Sequence, residues 1–143
     1  MEKSIRTIFG NTKPDLRSLP SLTLAYVGDS AFELILRTAL AEQKQDRGEK
    51  LHRRVQHYVC ARGQARIAEA VKPLLTEEEA AVFRRGKNAH PESFPKSASV
   101  AEYLAATGLE ALVGYLFLDG QSERAVTLIK AGMDHADGNA AEN

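Results

Sequence analysis

Two carboxylates stand inside apolar stretches of this 143-residue chain, and metal-assisted hydrolysis is the chemistry such a pair could do. Asp29 follows Gly28 in LTLAYVGDSAFELIL, residues 22–36. Glu110 lies in GLEALVGYLFL, flanked by Gly108, Ala111 and Gly114. Glycine inside a helix costs about 1 kcal/mol relative to alanine. Two helices that each carry glycine beside an acid are therefore read as approaching closely there. If they cross, Asp29 and Glu110 converge. Converging carboxylates repel and are costly to bury. A divalent cation resolves that conflict, and Mg²⁺ takes a few carboxylate oxygens while keeping several waters. Such an ion can activate a water and neutralise a phosphate. Spacing leaves a second reading open. Asp29, Glu33 and Arg37 fall at i, i+4 and i+8, which also fits a solvated stripe with Glu33 and Arg37 as a surface pair.

The elements that must hold these acids read as helix after helix. Leu22, Ala25, Tyr26, Phe32, Leu36 and Leu40 recur at helical spacing. Ser18 and Ser21 are candidate caps, and Pro20 suits the helix start. A second helix is predicted from Glu49 to Tyr58, and a third carries Ala65, Ile67, Ala68 and Val71 and stops near Pro73. Thr76 and Glu79 form a capping-box pattern that opens a fourth, ending near Arg85. GKNAHPESFPKSAS reads as a loop. A fifth helix spans Val100 to Leu118, with Val100, Leu104, Leu109, Leu112, Val113, Leu116 and Phe117 as core positions. Asp119-Gly120 ends it, and a sixth runs from Glu123 to Met133. No strand alternation or repeat interrupts the pattern, so the fold expected is an all-α helical bundle. Its parts are an N-terminal extension (1–20), one domain (21–135) and a flexible tail (136–143).

Composition narrows the class. Hydrophobic residues make up 43% of the chain, a globular level. Cys60 is the single cysteine, so no intramolecular disulfide is available, which suits a reducing compartment. It is read as a structural residue in a helical segment. No signal peptide and no apolar run of membrane-spanning length are read, so a soluble, cytoplasmic protein is expected. The formal net charge is zero, against nonspecific coating of nucleic acid, yet the charge is segregated. From Lys44 to Arg66 seven basic residues face two acidic ones, Asp46 and Glu49. From Arg84 to Lys96 four face Glu92 alone. That is a weak pointer to a polyanion, and two solvated helical faces fit equally. Among His52, His57, His90 and His135 only the His52/His57 interval fits the H-x₃₋₅-H spacing of zinc ligands, without cysteines to complete a site, and all four are read as structural or surface residues. Tyr26 and Tyr103 are read as core or interface residues, and the apolar surplus of the first and fifth helices could serve a dimer seam.

LAYVGDSAFEL resembles the signature helix of the ribonuclease III catalytic domain, and TGLEALVGYLFLDG resembles that domain's second acidic helix. FRRGKNAH between them, and the short chain, resemble the short bacterial branch, Mini-ribonuclease III, which lacks an appended double-stranded-RNA-binding domain. The resemblance covers Leu22 to Leu128. It implies an all-helical ribonuclease III endonuclease domain working as a homodimer. That enzyme cuts double-stranded RNA with Mg²⁺, leaving 5′-phosphate and 3′-hydroxyl ends with short 3′ overhangs. The branch is associated with maturation of the 23S ribosomal RNA precursor. Asp29 matches the family's signature aspartate and Glu110 its essential glutamate, so both are the candidate catalytic and metal-holding residues. Arg84, Arg85, Lys87 and Asn88, with the loop to Lys96, match the region associated with duplex RNA. Arg53 and Arg54 are second choices from charge.

The chain also departs from the longer enzymes of the family. It carries Leu22 and Ala25 where those have glutamates, and Thr107 where they have an aspartate. Two obvious carboxylates per centre then remain, which leaves both a two-ion site and a single Mg²⁺ with more water ligands open. The dimer must also hold its substrate unaided or with the help of a large-subunit ribosomal protein. The lost carboxylates keep one alternative alive, a catalytically weak RNA-binding module acting on ribosomal RNA. A helical protein-interaction domain is a third reading, supported only by the neutral charge.

Overall fold

One helix that is apolar on every side organises the fold. In the computed structural model α6 spans Val100–Leu118. Its residues 105–109 and 111–116 are buried without a break, so every face is covered. Around it pack α2 (Ser21–Gln43), α4 (Ala61–Val71), α5 (Glu77–Lys87) and α7 (Ser122–Ala136). Helix α3 (Glu49–Val59) bridges α2 and α4, and α1 (Glu2–Phe9) lies outside. A 3₁₀ turn, Lys72–Leu74, carries Pro73 and closes α4. The structure describes residues 1–43, 47–89, 93, 96 and 98–138. Among them there is no strand. Lys44, Asp46, His90 and Glu92, invoked above for charge or zinc ligation, lie outside the described residues, as do residues 139–143 of the tail.

Local sequence sets most helix ends. Thr76 and Glu79 form the capping box expected of them, with Thr76 Oγ1 accepting from Glu79 N and Glu79 Oε1 from Thr76 N. Ser99 and Glu102 form a second box ahead of α6. Glu79 also accepts two bonds of 2.9 Å from the Arg124 guanidinium of α7. Those bonds hold its carboxyl below the usual range despite its burial.

Several expectations need correction. Ser18 does not cap α2, because its hydroxyl donates to the Asp15 carbonyl; the first helical bonds of α2 run to Pro20 O. Cys60 is the N-cap of α4, where its Sγ accepts from Gly63 N. The N-terminal extension contains a helix of its own, α1. It buries no residue and is tethered by Arg6 to Leu118 O (3.1 Å), while Lys13 beyond it pairs with Asp119 (2.7 Å). Leu22, Tyr26 and Val100, placed on apolar stripes by their spacing, are exposed. The tail is tied at its start, since Tyr58 Oη donates to Asp137 at 2.6 Å. Among the described residues α6 alone is long and apolar enough to cross a membrane, contrary to the reading that no such run exists, and it is the buried centre of the bundle.

Candidate active site

The crossing of α2 and α6 leaves no room for side chains at two points. A Cβ on Gly28 would fall 1.7 Å from the carbonyl oxygen of Glu110. A Cβ on Gly114 would fall 1.9 Å from that of Leu24. Only glycine lets the two backbones touch there. Asp29 is the residue next to Gly28, and Glu110 precedes Gly114 by one helical turn. The backbone contact therefore delivers the two carboxyls to one place, as expected from the two glycine-flanked acids.

Glu110 is partly buried on α6, and Asp29 is exposed at the rim. The two side chains come within hydrogen-bonding reach. Burial, then the contact with Asp29 and its charge, push the Glu110 carboxyl from 4.5 up to about 8. The Glu110 carboxyl thus retains its proton near neutral pH in the metal-free protein. A consequence for stability follows. Glu110 titrates near 4.5 when unfolded and higher when folded, so folding retains a proton across that window. In EDTA, the stability that Glu110 contributes through its proton is full below pH 4.5 and declines as pH rises toward about 8. The Glu110→Gln variant should lack that decline. Urea melts between pH 5 and 8.5 would show it, and parallel curves for both proteins would contradict it.

Gln64 completes the junction, and sequence reasoning missed it. It lies on α4, only 3% exposed, and its Nε2 donates to Glu110 Oε2 at 3.5 Å, a long bond. The signal was present in the sequence. Gln64 sits three, four and seven residues before Ile67, Ala68 and Val71, which puts an amide on the apolar stripe of α4. Glu33 instead pairs with Arg37 at the surface. Thr107 is buried and donates to Tyr103 O. Among the described residues no three His, Cys, Asp or Glu side chains gather as a metal cluster.

Four of the six basic candidates fall in two clefts. Arg84, Arg85 and Asn88, at the end of α5, line a cavity of about 580 Å³ with Pro20, Ser21 and Leu22 at the start of α2. Leu22 and Asp29 are seven residues apart, so this cleft opens on the same face of α2 as the acid, about 10 Å along the helix. Arg53 and Arg54 line another, of about 430 Å³, with Lys50, His57 and Tyr58. Lys87 is half-buried and Lys96 exposed; neither lines these clefts. A third cavity, about 590 Å³, is mostly apolar and adjoins Asp29. Tyr26, Leu34, Ile35, Phe117 and Val126 line it, and Tyr26 is 82% exposed.

Comparison with known proteins gives a consistent picture. The family model described as Ribonuclease III domain matches residues 22–121. The chain is 50% identical over 117 residues to the Mini-ribonuclease 3 of Symbiobacterium thermophilum, covering 82% of this chain and 90% of that one. It is 44% identical to the Mini-ribonuclease 3 of Enterococcus faecalis, covering 80% and 89%. A crystal structure of a Fusobacterium nucleatum protein superposes with a TM-score of 0.76 at 31% identity, covering 85% of this chain and 97% of that one.

Proposed function

We propose, from the premise that this chain belongs to the ribonuclease III family and is an endoribonuclease of its Mini-ribonuclease 3 group, that it hydrolyses double-stranded RNA with Mg²⁺ held by Asp29 and Glu110. The meeting of those two carboxyls at the Gly28–Gly114 crossing carries the reading. The donors that meet there, two carboxylates and a nearby amide, are the oxygen-bearing kind a hard cation takes. A divalent charge between the carboxyls would remove the repulsion that helps raise Glu110. When bound, Mg²⁺ supplies an activated water and neutralises charge on the scissile phosphate. Asp29 and Glu110, fixed on two touching helices, set where that charge sits. Arg84 and Arg85 bind backbone phosphates beside it, with Asn88 as a hydrogen-bonding partner. Lys87 and Lys96, and then Arg53 and Arg54, extend the grip. Such contacts read the A-form shape of duplex RNA more than its sequence.

The protein acts as a homodimer in this reading. The exposed apolar stripe of α2, with Leu22, Tyr26 and Leu34 beside Val126 of α7, supports that seam. Membership of the short branch points to 23S ribosomal RNA precursor as the substrate, to a large-subunit ribosomal protein as helper, and to the cytoplasm as the site of action. The testing experiment incubates the protein and Mg²⁺ with a long RNA duplex. Cleavage of the duplex, with single strands of the same sequence left intact, is the expected result. Binding without cleavage would instead favour the RNA-binding module. Arg84→Ala/Arg85→Ala should weaken duplex binding and flatten its salt dependence by about 2 in log–log slope. An unchanged slope would remove both arginines from the phosphate contacts.

A further inference from the structure

A buried amide facing a carboxylate needs an explanation of its own. Core positions are filled with least penalty by apolar side chains, because a buried amide must recover the hydrogen bonds it gave up to water. Gln64 occupies such a position. Its neighbours on the same stripe of α4, Ile67, Ala68 and Val71, are fully buried apolar residues. α4 packs directly on α6, and the amide nitrogen of Gln64 is directed at Glu110 Oε2. α4 is itself anchored by the Cys60 cap one turn before Gln64, so the amide arrives from a fixed element. Glu110 is thereby approached from two sides, by Asp29 of α2 and by Gln64 of α4.

We propose that Gln64 is a positioning residue for the metal centre, its buried amide fixing the orientation of the Glu110 carboxylate toward the cation it shares with Asp29. The inference rests on the reading that Asp29 and Glu110 hold a divalent ion, and it adds a third element, α4, to that centre. An amide donor on one carboxylate oxygen restricts how the group turns and leaves its other lone pairs free for a ligand. Without the donor the carboxylate can turn, and the ion loses a fixed ligand. Partners of this kind typically change metal affinity or activity by about 10–100-fold when removed.

Gln64→Met tests this, because methionine has similar length and volume and no amide. Mn²⁺ binding in the absence of RNA, followed by the electron paramagnetic resonance of the free ion, is the first readout. The expected result is an Mn²⁺ dissociation constant raised about 10-fold or more. On duplex RNA with Mg²⁺, kcat should fall by a comparable factor while KM for the RNA holds. Wild-type Mn²⁺ affinity, or a loss confined to KM, overturns the inference. Gln64→Glu carries the test if the methionine variant does not melt cooperatively. A third carboxylate beside Glu110 should change Mn²⁺ affinity several-fold, and an unchanged affinity overturns the inference. Asp29→Asn separates the two levels. If it binds Mn²⁺ as the wild type does, the metal reading itself fails and this inference with it. If it loses Mn²⁺ while Gln64→Met keeps it, only the role of Gln64 fails.

Discussion

Asp29→Asn and Glu110→Gln should each lower kcat on duplex RNA by about 10³-fold or more, with duplex binding retained. Each change keeps the shape of the side chain and removes its negative charge. With only two carboxylates in the centre, neither loss has a substitute among the described residues. The double variant should be hardly slower than either single one, because the acids act as one unit. Folding is not the issue for Glu110→Gln. Its carboxyl is held near 8 by burial and by Asp29, so the neutral amide suits the metal-free site well. Time courses on a long RNA duplex in Mg²⁺, beside a gel-shift measurement in EDTA, check both halves. Cleavage at wild-type rate by either variant would remove that residue from the chemistry.

Gly28→Ala is the second large effect, and it acts on fold and site together. Its new methyl group would lie 1.7 Å from the Glu110 carbonyl oxygen, which belongs to the backbone of the central helix and cannot rotate away. α2 and α6 must separate along the contact that buries Leu24, Phe32, Leu109 and Leu112. Overpacking usually costs about 1–3 kcal/mol, and a clash of backbone against backbone belongs at or above the top of that range. Gly114→Ala, at 1.9 Å from the Leu24 carbonyl oxygen, should behave alike. Urea denaturation at pH 7 measures the loss; a change under about 1 kcal/mol for both variants would contradict the close crossing. In the fraction that still folds, the spread helices also part Asp29 from Glu110, so specific activity should fall further than stability alone explains.

The chain's own pattern determined the secondary structure from Ser21 onward. Helical spacing of apolar residues marks α2 to α7, Thr76 and Glu79 write one helix start, and Asp119-Gly120 writes one stop. The two glycine-flanked acids also announced their own convergence, because interior glycine has few uses besides close approach. Periodicity names an apolar face without naming what covers it. Leu22 and Tyr26 share the helical spacing of Phe32 and Leu36, yet both stay exposed while those two are fully buried. α1 escaped notice because it is eight residues long and buries none of them, being held by tethers to the end of α6. Gln64 lay on an apolar stripe in plain view, but its meaning depended on Glu110, 46 residues away. Sequence determined the helices and the pair of acids, since those rest on local backbone and side-chain preferences. The tertiary structure decided which faces stayed bare and which buried amide met which carboxylate, since those depend on contacts between segments far apart in the chain.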